Sequence, residues 1–324
     1  MTTWLLRRLL QASLIVVAMT IIVFVGLSVI GDPVETFASP EATQAERARI
    51  IASLGLDRPL WQQYLSFLGD LVQGDMGRSF VYNQPALELV LSRMPATAEL
   101  ALTAMLISIS IGIPLGIYCG LKHDSGLARV IMATSIFGFS LPTFWVGIVF
   151  IMFFSVYLGW LPSGGRGETV EVFGMRWSFL TWDGLTHLLL PAINLALFKM
   201  SLLLRLTRAV MRETLPMDYV KFARAKGLPE RRILGVHVMK NIMIPIVTII
   251  GLELGSVVAF AVVTETIFSW PGMGKLIIDS INILDRPVIV AYLIIIVVMF
   301  VILNLIVDII YAMLDPRMRL GGSS

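Results

Sequence analysis

The feature that most constrains this chain is a set of long apolar segments that carry almost no charge. Six of them have the length and apolar content that a bilayer-crossing helix needs, about 20 residues. They cover about 9–30, 97–121, 130–158, 188–207, 242–264 and 286–313. Only 15% of the residues are charged, whereas about a quarter are charged in a typical soluble domain. The pattern predicts an all-α integral membrane protein with six transmembrane helices.

The basic residues predict which side of the membrane each loop faces. If the N-terminus starts inside, 15 of the 25 Lys and Arg residues fall on the inner face and nine on the outer face. Cytoplasmic loops carry an excess of positive residues, so we expect both termini to be cytoplasmic. Arg7 and Arg8 precede an apolar run that is too long for a signal-peptide core, which predicts a retained first span.

The spans and loops suggest four parts along the chain. A first span with a cytoplasmic N-terminus, a periplasmic cap segment, a five-helix core and a cytoplasmic tail are expected at 1–31, 32–96, 97–314 and 315–324. Within the cap, apolar residues between Glu46 and Val72 recur at helical spacing. Pro142 lies inside the third span, where we expect neighbouring helices to accommodate it.

The core contains one long basic inner loop, 208–241. In this loop Asp218 can cap a short helix that runs through Lys226, with Gly227 at its C-terminal end. A second short helix is expected at about 229–241. Such a pair of helices would lie along the membrane surface.

The first of these helices would present an apolar surface with a basic rim. Tyr219, Phe222 and Ala223 are expected to share one stripe of it. Membrane topology alone explains why the loop is basic, but it does not explain the ordered spacing from Ala223 to Gly227. The loop is therefore a candidate for contact with another protein.

This inner loop resembles the cytoplasmic loop of permeases from binding-protein-dependent ABC importers, and more narrowly that of the B-type permeases of dipeptide and oligopeptide importers. The motifs that carry the resemblance run along nearly the whole chain in family order. They are Gly31–Pro33, Leu54–Pro59, Gly74–Ser79, Phe139–Pro142, Leu158–Pro162, Asp218–Leu228, His237–Pro245, Thr264–Gly274 and Leu314–Arg317.

The resemblance implies a type I ABC importer permease fold with an extracytoplasmic cap, in the bacterial inner membrane. It implies a second homologous permease, two ATP-binding cassette ATPases and a periplasmic or lipid-anchored substrate-binding protein as partners, together with membrane lipid and no nucleic acid. The inner loop would dock as a coupling helix into a groove on an ATPase. The residues implicated in this coupling are Asp218, Tyr219, Phe222, Ala223, Arg224, Gly227, Leu228 and Arg231.

The match to the general importer motif is incomplete. That motif begins Glu-Ala-Ala, whereas this chain has Lys221 and Phe222 at the first two places and keeps only Ala223 and the later Gly227. The segment containing Glu265, Trp270 and Pro271 also matches the family. Its position after the fifth span suits an outer gate or a contact with the binding protein, and Glu265 could equally cap a following helix.

No nucleotide site is expected in this chain. The segment nearest to a P-loop, around Gly272 and Lys275, has Ser269 in place of the first Gly and Leu276 in place of the Ser or Thr that holds magnesium. We therefore expect no cofactor and no enzymatic reaction here. ATP and magnesium would be bound by the partner ATPases.

Two charged residues are predicted near the middle of the bilayer. Lys199 lies in the fourth span and Glu253 in the fifth, where ionisable groups are costly. We expect the two to pair with each other or to face a shared water-filled cavity. They are pathway candidates, and an architectural salt bridge is the competing interpretation. Gly112, Gly116 and Gly120 form a small-residue repeat suited to close helix packing or to the interface with a second permease.

The predicted function is an ATP-driven import of dipeptides or oligopeptides, in which this chain is the permease. Relatives in the same family carry nickel chelates, glutathione or other small solutes, and the sequence does not choose among these cargoes. Two different classes remain open, an ion-coupled secondary transporter and a membrane-embedded hydrolase. The former would need a coupling site at Lys199 and Glu253.

Overall fold

The computed structural model describes residues 2–29, 43–53 and 57–314. The motif at 31–33, the residues 54–56 and the predicted tail at 315–324 lie outside this part of the chain. The described residues are mostly helical. The helices are α1 (Thr2–Val29), α2 (Gln44–Ser53), α3 (Leu60–Val72), α4 (Ala86–Leu121), α5 (Gly126–Ser140), α6 (Thr143–Phe150), α7 (Trp182–Thr214), α8 (Asp218–Ala225), α9 (Glu230–Arg232), α10 (Met239–Ile267), α11 (Met273–Asn282) and α12 (Arg286–Leu314).

Two stretches of π-helix interrupt this series. Ile151–Tyr157 continues α6, and Ile233–Val238 joins α9 to α10. Since this second junction is unbroken, one helix runs from Glu230 to Ile267. The expected separate helix at 229–241 is therefore wrong, because the chain after α8 leads directly into the next membrane helix.

Four of the described helices are long and apolar enough to cross a membrane, or five spans if a bent helix pair forms one of them. The four cover Ala86–Leu121, Trp182–Thr214, Glu230–Ile267 and Arg286–Val307. At the position of the first predicted span lies α1, Thr2–Val29, of which Leu10–Gly26 is an apolar stretch. The prediction of a multi-span helical protein is confirmed, and the finer prediction of six spans stays a prediction.

The third predicted span is broken rather than continuous. Helices α5 and α6 are bent by 104° at the residues between them, and Leu141 there has an extended backbone with φ −81° and ψ 136°. Pro142 causes this break, since proline lacks an N–H and its ring disfavours the helical conformation of the preceding residue. The helix of this segment is thus broken at Pro142, and the prediction that 130–158 forms one membrane span stays a prediction.

Two smaller differences concern the loops. The predicted helical pattern from Glu46 to Val72 forms two helices, α2 and α3, and Pro59 stands at the N-cap of the second. The chain is also not purely α-helical. An antiparallel β-hairpin pairs Val170–Val172 with Met175–Trp177, and its two turn residues, Phe173 and Gly174, both have positive φ, as a type I′ turn requires.

The chain forms two compact units. One unit comprises Met1–Ser92 and Asp279–Ile302, and the other comprises Arg93–Ile278 and Leu303–Ser324. In the first unit, Val23 of α1 packs with Val290 and Ile294 of α12, and Phe67 of α3 joins them. Because α1 and α12 carry predicted membrane spans, we expect van der Waals packing, rather than the exclusion of water, to hold these residues together.

In this first unit, the last residue of one sequence motif binds a buried carboxylate. Ser79 closes the Gly74–Ser79 motif and donates its hydroxyl to Asp285, 2.5 Å away, just before α12 begins. The backbone N–H of Phe80 donates to the same carboxylate at 3.3 Å. Because an aspartate at this position also favours the start of a helix, the motif both anchors its own loop and stabilises the beginning of α12.

In the second unit, three glycines let α4 approach α7 closely. A methyl group built on Gly112 would lie 2.9 Å from the carbonyl oxygen of Met200, and one on Gly116 would lie 2.6 Å from the Cβ of Thr207. One on Gly120 would meet a side chain of α7 at 2.5 Å. The glycine repeat is therefore used for packing within this chain, and the alternative of an interface with a second permease finds no support at these positions.

Candidate functional site

The short helix α8 is positioned by its two ends. Its N-cap is Met217, which supplies no side-chain hydrogen bond, so the expectation that Asp218 caps the helix is wrong. Asp218 instead lies in the first turn, where a negative charge favours the helix dipole, and its carboxylate meets Lys221 at 3.1 Å on the exposed surface.

The C-terminal end of α8 is closed as predicted. Gly227 has a φ of +75°, a left-handed conformation that costs glycine little. Its N–H donates to Arg224 O at 2.9 Å, and the N–H of Leu228 donates to Ala223 O at 3.3 Å. These two bonds make a Schellman motif, which satisfies carbonyls that the helix end leaves free. Leu228 also packs against the apolar cluster below the helix.

The two faces of α8 differ from the expected stripe. Val220 and Ala223 are buried, in one cluster with Ile233, Val238 and other apolar residues. Tyr219 and Phe222 lie on the exposed surface, and the Phe222 side chain is 62% exposed. The grouping of Tyr219 and Phe222 with Ala223 is wrong, because residues one position apart on a helix point in different directions. The buried face fixes α8 to the bundle, and the exposed face stays free for a partner.

Polar contacts tie α8 to the helix that follows it. The side chain of Asn241 donates to the hydroxyl of Tyr219 at 2.8 Å. Arg224 donates from Nε to Glu230 Oε1 at 2.7 Å. Since Asn241 and Glu230 belong to the continuous helix from Glu230 to Ile267, a displacement of α8 would act directly on a membrane span.

The exposed surface of α8 and its neighbours combines apolar and basic side chains. Met217, Tyr219, Phe222 and Val236 are all exposed apolar or aromatic groups of this region. Arg224 and Arg231 are exposed beside them, and Lys226 lies 4.5 Å from the centre of the Phe222 ring. We call the exposed residues of Met217–Arg231 the coupling surface.

Glu265 lies near the end of α10, fully buried, and holds the start of α11. Its Oε1 accepts a hydrogen bond of 2.6 Å from the Thr97 hydroxyl, and its Oε2 accepts one of 3.0 Å from the N–H of Lys275. The Thr97 hydroxyl in turn accepts from the N–H of Met273 at 2.8 Å. Glu265 and Thr97 together satisfy backbone donors in the first turn of α11, as a cap does.

Backbone atoms pack closely around the Glu265 carboxylate. A methyl group built on Gly272 would lie 2.3 Å from Glu265 Oε1, and one on Gly274 would lie 2.5 Å from the Cα of Val262. These glycines in the Trp270–Gly274 turn allow the close approach of backbone to carboxylate. The sequence alternative in which Glu265 caps a helix is therefore confirmed, whereas a gating role stays a prediction.

Trp270 is also fully buried, and its indole Nε1 donates to the carbonyl oxygen of Ala96 at 2.9 Å. Pro271 is partly buried in the turn beside it. Because the Trp270 and Glu265 side chains are enclosed, contacts with a binding protein would have to be made by their neighbours.

Glu99 is a buried residue that sequence reasoning missed. Its Oε1 accepts hydrogen bonds from the hydroxyl and N–H of Ser178 at 2.8 and 2.7 Å and from the N–H of Phe179 at 2.8 Å. Its Oε2 accepts from Arg166 at 2.6 and 3.1 Å. A carboxylate with five donors is fully satisfied. It fixes both ends of the segment that contains the β-hairpin.

Ala96, Thr97 and Glu99 thus form one anchor segment on α4. Ala96 accepts a hydrogen bond from Trp270, Thr97 accepts one from the start of α11, and Glu99 accepts one from the hairpin segment. The Arg166 guanidinium lies 5.7 Å from the centre of the Trp270 ring, within the range of a cation–π contact. The signal that could have revealed Glu99 is an acid just inside an apolar helix, since such a group needs a partner.

Lys199 and Glu253 pair as predicted. The Lys199 side chain is buried, and its ammonium group contacts the Glu253 carboxylate and donates to the Ser256 hydroxyl at 2.6 Å. The Ser256 hydroxyl also donates to Glu253 at 2.6 Å. Lys199 lies 5.3 and 5.2 Å from the ring centres of Phe198 and Phe260. The pair joins α7 to α10, and its role in a pathway stays a prediction.

A cavity of about 330 Å³ lies beside this pair. Its wall includes the Lys199 side chain and the break between α5 and α6. The lining residues are Phe139, Ser140, Leu141, Pro142, Thr143, Leu195, Phe198, Lys199, Phe260 and Thr264. The cavity is therefore mostly apolar, with one cation and several hydroxyl groups in its wall.

Comparison with known protein families identifies two matching sequence models. Residues 112–320 match the family described as "Binding-protein-dependent transport system inner membrane component". Residues 1–101 match the N-terminal region described for the membrane components of such systems. Together the two matches cover almost the whole chain.

Several relatives align over most of their length. An oligopeptide transport system permease protein of Bacillus subtilis is 40% identical, over 98% of this chain and 100% of its own. A di/tripeptide transport system permease protein of Pseudomonas aeruginosa is 39% identical, over 89% and 90%. A dipeptide transport system permease protein of Escherichia coli is 36% identical, over 98% and 99%.

The fold also matches a solved structure. A chain from a methionine ABC transporter in inward-facing conformations superposes with a TM-score of 0.57, over 71% of this chain and 98% of that chain. The sequence identity is 16%, so the likeness concerns the fold alone.

Proposed function

Because this chain belongs to the family of binding-protein-dependent transport system inner membrane components, we propose that it is a permease subunit of an ATP-driven importer for dipeptides or oligopeptides. The full-length likeness to three peptide permeases supports the peptide cargo. The single structural observation that carries the proposal is the exposed coupling surface on a helix that is fixed to a membrane span.

The coupling surface is suited to transmit the movement of a docked protein to a membrane span. The partner in this proposal is an ATPase subunit with a groove that accepts Tyr219 and Phe222. Aromatic side chains with neighbouring arginines are typical of the residues that dominate binding energy in interfaces. Because Val220 and Ala223 are buried and Arg224 pairs with Glu230, the movement of a docked ATPase would be passed to the long helix from Glu230 to Ile267 rather than lost in a loose loop.

The remaining parts of the proposal are supported by family membership. The chain crosses the bacterial inner membrane six times in a type I importer arrangement, with both termini in the cytoplasm and a cap outside. A second homologous permease completes the pore, two ATPases bind and hydrolyse ATP, and a substrate-binding protein delivers the peptide. Glu265, Trp270 and Pro271 contribute to closing the pore on the outer side, with Glu265 and Trp270 acting from inside the protein as positioning residues.

The proposal is tested by purifying the tagged chain from native membranes in mild detergent and reconstituting the complex in proteoliposomes. We expect a second permease and ATPase subunits to co-purify and peptide uptake to require ATP. A lone chain that takes up peptide without ATP, driven by an ion gradient, would contradict the proposal and would favour an ion-coupled transporter.

A variant of the coupling surface tests the docking step directly. In Phe222→Ala we expect the chain to fold and the recovery of ATPase subunits to fall, because the ring is exposed and contributes little to the core. Phe173→Ala is the matched control, since this ring on the β-hairpin is 96% exposed. Equal recovery of ATPases with both variants would mean that α8 is not the docking site.

A further inference from the structure

The pair of Lys199 and Glu253 has a feature that an architectural salt bridge would not need. A buried ion pair gives little net stability, since a well-packed apolar pair of similar size often does as well. Here the pair is not enclosed by packing on all sides, because Lys199 forms part of the wall of the 330 Å³ cavity. The charge is therefore maintained beside an open volume.

The chemistry of the cavity favours a small ligand with a carboxylate. Its volume lies within the range of small-molecule sites, which are mostly apolar with a few placed polar groups. Lys199 supplies the cation, while Phe139, Phe198 and Phe260 supply aromatic surface. Rings of this kind accept side chains of many shapes, so they suit cargo in which only the backbone ends are constant.

The broken helix adds donors at the same cavity. Thr143 begins α6, whose N-cap Pro142 provides no side-chain hydrogen bond for the first N–H groups, and both residues line the cavity. The start of a helix carries partial positive charge, and half-helix starts receive anionic groups of the substrate in other transporters. The partial positive charge at the start of α6 therefore adds to that of Lys199, which is the main cation of the cavity.

We infer that this cavity binds a short peptide during translocation, with Lys199 exchanging the Glu253 carboxylate for the C-terminal carboxylate of the peptide. The released Glu253 keeps the Ser256 hydroxyl as a hydrogen-bond donor. This inference rests on the proposed function, and it assigns the C-terminal carboxylate of the cargo as the recognised feature.

An exchange of carboxylates explains why such a site can release its cargo. Lys199 has a charged partner and a hydroxyl partner before the peptide arrives, and it keeps one carboxylate partner afterwards. Because Lys199 is paired in both states, and Glu253 keeps a hydroxyl donor and a partly exposed side chain, the free energy of the exchange is small compared with that of burying a lone ion. A conducting site needs binding that is favourable enough to enter and weak enough to leave.

The experiment compares two peptides in proteoliposomes that hold the complete complex. One probe is labelled Ala-Phe with a free C-terminal carboxylate, and the other is the same peptide as its C-terminal amide. ATP-dependent uptake and ATPase stimulation by the peptide-loaded binding protein are measured together. The protein variants are the neutral double replacement Lys199→Met with Glu253→Gln, and the exchanged pair Lys199→Glu with Glu253→Lys.

For the wild type we expect the carboxylate peptide to enter roughly tenfold to a hundredfold faster than the amide, the range of a hydrogen bond to a charged group. In the neutral double variant the preference should fall by about tenfold or more, while the ATPase subunits still assemble and respond to the binding protein. The binding protein is unchanged throughout, so its own preference for the carboxylate stays constant and the change in ratio reports the permease.

The exchanged pair distinguishes a role in peptide recognition from the role of a purely structural salt bridge. It keeps one positive and one negative group, so a purely structural pair predicts recovery of the wild-type uptake ratio. The inferred exchange predicts that the ratio stays lowered. An unchanged ratio in the neutral double variant, or full recovery in the exchanged pair, would overturn the inference. Failure of the wild-type complex to take up either peptide with ATP would instead contradict the proposed function.

Discussion

Glu99 on α4 and Arg166 in the segment before the β-hairpin form a buried ion pair, with 2.6 Å between Glu99 Oε2 and Arg166 Nη2. The Glu99 side chain is completely buried, and that of Arg166 is 12% exposed. Since the same carboxylate also holds the N–H groups of Ser178 and Phe179, one residue of α4 fixes both ends of a connection between two membrane helices.

The first prediction concerns this pair. In Glu99→Gln the Arg166 charge loses its partner while it remains mostly buried, which should destabilise the second unit by about 3 kcal/mol. The thermal midpoint of the detergent-purified complex should fall, and protease cleavage between 166 and 179 should become faster. Glu88→Gln is the matched control, because Glu88 lies on the exposed side of the same helix.

A double replacement tests whether the charges themselves are needed. Glu99→Gln with Arg166→Met removes both charges but keeps a side-chain oxygen that can accept from the N–H groups of Ser178 and Phe179, so we expect it to be less destabilising than Glu99→Gln alone. If Glu99→Gln and Glu88→Gln have the same midpoint, the ion pair does not anchor the hairpin segment.

The second prediction concerns the hydroxyl of Thr97. In Thr97→Val the volume is kept, but the Glu265 carboxylate loses a donor and the N–H of Met273 loses an acceptor. Each unsatisfied buried group costs about 1–3 kcal/mol, so thermal stability and peptide uptake should both fall. Thr97→Ser keeps the hydroxyl and should retain most of both. Equal behaviour of the two variants would show that Thr97 does not position α11.

The third prediction concerns pH at the start of α2. Thr43 and Glu46 form a capping box, in which the Thr43 N–H donates to Glu46 at 2.8 Å and the Glu46 N–H donates to the Thr43 hydroxyl at 3.4 Å. The Thr43 N–H, followed by the Thr43 hydroxyl, holds the pKa of the Glu46 carboxyl below its ordinary value. The stabilisation is therefore present above the unfolded-state pKa and is lost as pH falls through the lower folded-state pKa.

Hydrogen exchange in the full complex measures this effect. Amide protection in the first turn of α2, corrected for the intrinsic exchange rate at each pH, should decrease on acidification and should be lower at neutral pH in Glu46→Gln. The first turn of α3 is the internal control, because its N-cap Pro59 offers no side-chain hydrogen bond. Protection in α2 that is independent of both pH and Glu46 would contradict the prediction.

How far the site could be predicted from the sequence depended on how isolated each charge was. Lys199 and Glu253 stand alone in apolar spans, so the cost of burying either of them predicted a partner. Glu99 lies near the end of a span, where charges are common, and its partner Arg166 is 67 residues away in a loop. The position of Glu99 just inside an apolar helix indicates that it needs a partner, but nothing in the sequence indicates that this partner is Arg166.

For a related reason, some features of the local chain conformation could be predicted from the sequence and others could not. Gly227 could be assigned to the end of α8 because a left-handed residue there is a local requirement. The effect of Pro142 depended on whether neighbouring helices would support a straight span, which is a property of the packed bundle. In the structure α5 ends at Ser140 and the chain turns by 104°. A cavity at Lys199 was among the predicted alternatives, but the contribution of this turn to its wall was not predicted.

The last prediction concerns the contact between α4 and α7. In Gly116→Ala the new methyl group would lie 2.6 Å from the Cβ of Thr207 and 2.7 Å from the carbonyl oxygen of Leu204. Backbone cannot rotate away as a flexible side chain can, so the helices must separate, at a cost of about 1–3 kcal/mol. Thermal stability should fall accordingly. Gly138→Ala is the matched control on α5, where the nearest atom would be 3.8 Å away and higher helix propensity should make the change neutral or slightly stabilising. Equal stability of the two variants would mean that α4 and α7 do not rely on this close approach.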